Sequence, residues 1–220
     1  MVQELIAQCP AEVEQVFAVQ EWLNRHEKWL RNARFQVTQV LPAELERISA
    51  LVTPNMVIAV AKIPVVPLQP QLPSLRTCFY LDGLQDPGNV GTILRIADWF
   101  GIPAVYCSSD CADIYSTKVV QSSMGASFRV PSWKTTLDQL ITAQPDIPVL
   151  GAVMDGVDVF KQKLPATGIL VIGNEGGGIR PENDCKLTTR ISIPRHPNGK
   201  AESLNAAVAA GILAAMIPTT

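Results

Sequence analysis

Histidine is nearly missing from this 220-residue chain, His26 and His196 being its two examples. That is too few for a multi-histidine zinc site or for most histidine-based proton relays. The five cysteines (Cys9, Cys78, Cys107, Cys111, Cys185) include no CxxC pair and are odd in number, so they read as reduced thiols and not as a disulfide framework. Neither GxxxxGK[ST] nor a GxGxxG following a strand occurs, which removes the usual nucleotide-phosphate loops. The longest apolar run, Ala206 to Ile217, is twelve residues, short of the ~20 needed to span a bilayer. No basic stretch followed by an apolar core opens the chain, so the expected compartment is the cytoplasm. Charge of one sign is also lacking. Lys+Arg number 18 against Asp+Glu 20, a net charge of −2, and such a balance announces neither a nucleic-acid nor an anionic-membrane partner.

What is present is apolar substance and proline. Apolar residues make up 47% and charged residues 17%, which fills a core and argues against global disorder. Pro64, Pro67, Pro70 and Pro73 recur every third residue, one turn of polyproline II. Residues 64–75 are therefore expected to be an extended linker between a small α/β domain (1–63) and a larger domain (76–220). In the first, Val13–Val19, Phe35–Val40 and Met56–Ile63 read as strands, with helices at Glu21–Leu30 and Pro42–Leu51. Its opening residues, Glu4-Leu-Ile-Ala-Gln-Cys, read as the end of a helix whose beginning is missing.

In the second domain, apolar runs at Cys78–Leu81, Ala104–Cys107, Val149–Val153, Ile169–Ile172 and Ile191–Ile193 alternate with helical stretches. This predicts a parallel sheet covered on both faces. Gly88–Phe100 is an expected helix with Gly101 at its end, and Ser203–Met216 another. The small residues of the latter suit a core or a subunit interface.

Ligands of open α/β sheets bind beyond the carboxyl ends of strands, and three glycine-punctuated loops follow apolar runs there. The first, Leu81-Asp-Gly-Leu-Gln-Asp-Pro-Gly-Asn, leads into the helix carrying Asn89 and Arg95; taken alone it is also a capped helix with a solvated arginine. The second, Gly173-Asn-Glu-Gly-Gly-Gly, frees backbone N–H groups to approach a ligand and places Glu175 beside them. The third runs from Ile193 to Asn205, where Ser203 or Asn205 also suits a helix N-cap.

Together the loops resemble the SpoU/TrmH-type RNA ribose 2′-O-methyltransferases of the SPOUT superfamily. Asp86-Pro-Gly-Asn-Val-Gly-Thr-Ile-Leu-Arg is similar to that family's first motif, Gly173-Asn-Glu-Gly-Gly-Gly to its second and Glu202-Ser-Leu-Asn-Ala-Ala-Val-Ala to its third. Lys118-Val-Val-Gln-Ser-Ser-Met-Gly-Ala resembles a stretch between them. The resemblance covers Thr77 to Ile217, and the first domain is similar in size and pattern to an L30e-like substrate-binding domain. It implies an α/β SPOUT-type parallel sheet with a C-terminal trefoil knot, S-adenosylmethionine bound in the knot, a homodimer, an RNA substrate (rRNA more than tRNA) and no metal. Gly173, Asn174, Gly176, Ile193, Ser203 and Leu204 would hold the cofactor, and Asn89, Arg95, Glu175, Ser203 and Asn205 would form the catalytic set. A catalytically silent RNA-binding dimer of the same fold is the alternative. The stretch Pro194–Glu202 is about two residues longer than the family's loop, which leaves His196 and Lys200 as substrate contacts or plain loop surface.

The charge balance then acquires a meaning. Residues 1–76 hold 7 basic and 7 acidic side chains and residues 77–220 hold 11 and 13. RNA attraction must come from local clusters such as Arg25, Lys28, Arg31 and Arg34, or Arg195 and Lys200, and selectivity from RNA shape.

Overall fold

The structure is a computed structural model that describes residues 1–31, 33–49, 51, 53 and 55–218. It divides into two compact units, residues 1–66 and 67–220.

The first unit contains α1 (Val2–Gln8), β1 (Val13–Ala18), α2 (Gln20–Leu30), β2 (Gln36–Gln39), α3 (Pro42–Ile48) and β3 (Val57–Ala61). The strands form a sheet in the order β2-β1-β3, parallel on one side of β1 and antiparallel on the other. Alternation along β1 buries Val13, Val16 and Ala18, and Ile6 of α1 and Trp22 of α2 join them in one core. Trp22 also stacks on His26 one turn later, ring centroids 4.2 Å apart. On the outer face of α2, Arg31 pairs with Glu27 at 2.9 Å and Arg25 with Glu21, both at i,i+4 spacing. Half of the basic cluster is therefore matched by acids of its own helix.

The second unit opens with a helical turn, α4 (Leu72–Leu75). This corrects the expectation of an extended spacer through residue 75. Pro73 stands at the start of the turn, where its missing N–H costs nothing, and is itself buried. Next come β4 (Cys78–Asp82), α5 (Pro87–Phe100), β5 (Val105–Cys107), α6 (Thr117–Ser123), β6 (Ser132–Lys134), α7 (Leu137–Ala143), β7 (Val149–Asp158), β8 (Ile169–Gly173), α8 (Pro181–Asp184), β9 (Thr189–Ser192) and α9 (Ala206–Met216). The six strands make one all-parallel sheet, order β6-β5-β4-β8-β7-β9. Its edge strand β6 has no sequence signal, since only Trp133 of Ser-Trp-Lys is buried.

Every residue of β4 is buried because helices cover both faces. Phe79 and Leu81 face a core shared with α5 and α9, whereas Cys78 and Tyr80 face a second core with Leu137 and Leu140 of α7. Helix α5 starts on Asp86, whose side chain accepts from the Asn89 N–H, and stops at Gly101 in a left-handed conformation. It lies close against α6 at Gly91, where an added Cβ would stand 1.9 Å from Ser122 Oγ and 2.7 Å from the Val119 carbonyl. Among the described residues, no helix is long and apolar enough to cross a membrane.

Candidate active site

Strands β4 and β8 are paired so that Asp82 lies opposite Gly173. The loops leaving them, toward α5 and α8, therefore emerge side by side at the carboxyl edge of the sheet, and the β9 to α9 connection approaches the same edge. These are the three loops singled out in the sequence.

Asparagine side chains join them. Asn205 caps α9 by accepting from the N–H groups of Ala207 and Val208 at 3.0 and 3.2 Å. Its Nδ2 donates to Asn89 Oδ1 at 2.9 Å, and Asn89 Nδ2 donates to Glu175 Oε1. One hydrogen-bonded chain thus runs through one residue of each loop. The α9 start expected at Ser203 is corrected to Ala206, because Asn205 is the residue that caps the helix and Ser203 and Leu204 lie outside any regular element, lining a cavity.

That cavity has a volume of about 810 Å³, inside the range usual for small-molecule sites. Gly173, Asn174, Gly176, Ile193, Ser203 and Leu204, the six residues assigned to a cofactor, all line it, as does Glu175. Ile172 and Leu213 supply further apolar wall, and Arg190, Arg195 and His196 supply basic groups. Arg190 is held by Asp155 at 2.7 Å and by Asp184 at 2.5 Å, and these contacts raise its pKa above the ordinary arginine value, the Asp155 hydrogen bond most.

The glycine loop is built by Asn174. Its side chain donates to the Gly83 carbonyl at 2.8 Å and accepts from the N–H groups of Gly176 (2.8 Å) and Gly177 (3.3 Å), while its backbone exchanges two hydrogen bonds with Gly178. The loop returns so tightly that a Cβ at Gly173 would lie 2.3 Å from the Gly178 carbonyl carbon and 2.4 Å from the Ile179 nitrogen. Only glycine fits there.

Not every assigned residue joins the cluster. The Arg95 side chain is exposed and has neither a hydrogen bond nor an ion pair among the described residues. Six residues of α-helix rotate it about 120° away from Asn89 and carry it about 9 Å along the axis. Ser203 is exposed at the cavity rim. In the long 194–202 loop, the Gly199 N–H reaches the His196 carbonyl at 2.7 Å, the Asn198 N–H donates to His196 Nδ1 at 3.2 Å, and Arg195 donates to the Ala201 carbonyl at 2.9 Å. Arg195 and His196 face the cavity; Lys200 is exposed outside it.

Three residues of this region were not singled out from the sequence. Asp82, fully buried at the end of β4, accepts from the Arg180 N–H (2.9 Å), from Arg180 Nε (2.7 Å) and Nη2, and from Asn183 Nδ2 (2.9 Å). The one signal was a carboxylate ending a run of four apolar residues. Behind it, a hydrogen bond from Cys107 lowers the Cys111 pKa to about 6, and Ser108 adds to the effect. All five cysteines are free thiols.

The chain is similar to known proteins over most of its length. The model of the SpoU rRNA Methylase family matches residues 76–215. The chain is 32% identical over 165 residues to the 23S rRNA (guanosine(2553)-2'-O)-methyltransferase RlmP of Bacillus subtilis, a match covering 73% of this chain and 64% of that one. Against the 23S rRNA (guanosine-2'-O-)-methyltransferase RlmB of Ralstonia nicotianae it is 30% identical, covering 86% and 80%. The chain thus spans just under two thirds of the Bacillus relative's length. Among solved structures, a putative RNA methyltransferase of the TrmH family from Porphyromonas gingivalis superposes with a TM-score of 0.82 at 35% identity, over 97% of this chain and 86% of that one. With the three loops gathered at one sheet edge and the family model matched across most of the second unit, the chain belongs to the SpoU rRNA Methylase family.

Proposed function

We propose that the protein is an S-adenosylmethionine-dependent methyltransferase acting on a ribose 2′-hydroxyl of structured RNA, with ribosomal RNA as the substrate class. The observation that carries this reading is the Asn205–Asn89–Glu175 chain standing beside a cavity lined by Gly173, Asn174, Gly176, Ile193, Ser203 and Leu204. The names of the Bacillus and Ralstonia relatives support ribosomal RNA.

The cavity suits the cofactor. The glycine loop offers backbone groups, Ile172, Ile193 and Leu204 offer an apolar slot for a base, and the volume suits a ligand of nucleoside size or larger. When bound, the cofactor supplies an electrophilic methyl group on sulfonium. The residues of the chain have the remaining tasks of holding the hydroxyl in line and easing loss of its proton. Arg95, with a pKa above about 12, is no base; its task is to polarise the hydroxyl and stabilise the developing alkoxide. Asn89 and Glu175 orient the reacting groups, and Ser203 and Asn205 shape the cofactor and phosphate side.

A homodimer is the working form in this reading. Helix α9 contains no charged residue between Ala206 and Met216, and exposed Val208 and Ala215 give it an apolar outer face of the kind a partner subunit covers. The C-terminal knot, the L30e-like role of the first unit and the cytoplasmic location belong to the same proposal. Incubation with cofactor labelled in its methyl group and with total RNA, followed by mapping of the methylated nucleotide, tests it. Label on a ribose is expected, and label on a base overturns the reaction class. A silent RNA-binding scaffold need not bind S-adenosylmethionine, so a heat of binding in calorimetry counts against that alternative.

A further inference from the structure

We infer that Asp82 is a positioning residue for the cavity: through Arg180 and Asn183 it holds the glycine loop in its closed path, so that cofactor affinity depends on a carboxylate that touches no ligand. The inference rests on the cofactor reading given above and extends it to residues outside the three motifs.

A carboxylate with no exposed surface persists in an apolar interior only if its oxygens are satisfied. All hydrogen-bond partners of the Asp82 carboxylate come from one short segment, Arg180 to Asn183. The next residue of β4's exit, Gly83, accepts the Asn174 side chain. The loop is therefore tied at both ends to two consecutive residues, Asn174 to Gly83 and Arg180 to Asp82. Between these ties lie Glu175 to Ile179, which wall the cavity. An added Cβ at Gly177 or Gly178 would meet nothing within 4 Å, so the middle of the loop has little packing of its own and its ends decide its course. Asp82 does not line the cavity, and its effect must pass through the loop.

Arg180 suits this task better than a lysine would. Its Nε and Nη2 both donate to Asp82 Oδ1 while its backbone N–H donates to Oδ2, so one residue satisfies both carboxylate oxygens and two planar donors fix the direction of the side-chain contact. Nη1 also stands 3.4 Å from Asp110 and Nε 3.6 Å from Glu182. The Asp82 contact holds the guanidinium pKa above its ordinary value.

Loosening one tie lowers the population of the closed loop, and apparent affinity falls by that fraction while the saturated complex is unchanged. For Asp82→Asn, nearly isosteric but presenting an amide to donors on every side, the expected result is a 10- to 100-fold weaker Kd for S-adenosylmethionine in calorimetry, about the scale of losing a supporting hydrogen-bond partner. With RNA substrate, the KM for the cofactor rises in proportion and kcat stays within about threefold. Without cofactor, the Gly176 and Gly177 amides, which bond Asn174 Oδ1, exchange with solvent faster by a similar factor.

Arg180→Lys keeps the charge and loses the paired Nε and Nη2 donors; it gives the same pattern and serves if Asp82→Asn does not fold. Leu140→Ala, buried in α7 and outside the cavity lining, is the control for stability loss alone and leaves cofactor affinity unchanged. A folded Asp82→Asn protein with wild-type affinity and wild-type amide exchange overturns the inference, as does an equal loss of affinity in Leu140→Ala. If the unaltered protein binds no S-adenosylmethionine, the functional reading fails, and amide exchange still decides whether Asp82 closes the loop.

Discussion

The Asn205 side-chain amide donates to Asn89 Oδ1 at 2.9 Å across 116 positions of sequence, while its own oxygen accepts from the first N–H groups of α9. The two ends of one amide thus have separate tasks, capping and linking. The choice between an N-cap and a functional residue dissolves, because the cap is what aims the donor at Asn89.

A substitution can divide the two tasks. Asn205→Asp keeps a capping oxygen for Ala207 and Val208 but turns an acceptor toward Asn89 Oδ1. If Asn89 rotates to donate, its oxygen then faces Glu175, so one link is lost either way. Methyl transfer is expected to fall at least tenfold with thermal stability retained, whereas Asn205→Ala also loses about 1 kcal/mol of cap. Equal turnover for Asn205→Asp and the parent would remove the link from the mechanism.

The Arg95 side chain has no partner among the described residues, so Arg95→Ala is expected to change stability by less than about 0.5 kcal/mol and to leave S-adenosylmethionine binding intact. Methyl transfer should fall by about two decades or more, the scale of a lost electrostatic donor. Near-normal turnover would exclude Arg95 from the reaction.

Gly173→Ala and Gly177→Ala form a contrasting pair. The first places a Cβ 2.3 Å from loop backbone and the second meets nothing. Calorimetry should show loss of cofactor binding for Gly173→Ala, together with destabilisation of about 1–3 kcal/mol from overpacking, and near-wild-type behaviour for Gly177→Ala. Tolerance of alanine at both positions would refute the closed loop as drawn.

Burial pushes the Cys78 thiol from 9.0 up to about 12 and the Tyr80 phenol from 10.0 up to about 12. Both folded values exceed the unfolded ones, so their contribution is complete below pH 9 and is lost as the pH rises through that window. Each group then costs about 1.4 kcal/mol of unfolding free energy per pH unit. Denaturant midpoints across the alkaline range should fall less steeply for Cys78→Ala than for the parent. Parallel slopes would show that Cys78 does not titrate there.

Much of the architecture is legible locally. The apolar runs Cys78–Leu81 and Ile169–Ile172 are strands, and Asp86 and Gly101 bracket α5 as their residue types require. Strand β6 escapes such reading because an edge strand buries one residue in three. The turn at Leu72–Leu75 escapes it because proline suits a helix's first turn as well as an extended chain.

By itself, then, the sequence determined the alternation of strands and helices, the three loops and the residue types within them, since these depend on hydrophobic period, turn chemistry and capping over a few residues. Tertiary structure alone decided which loop residues meet. Asn89 could have been a bare helix residue and Asp82 a solvated carboxylate; parallel pairing of β4 with β8 sets Asp82 beside Gly173 and brings Arg180, 98 positions away, onto it. Contacts of that kind follow from strand order and register, which the packing of the whole sheet selects and no local pattern encodes.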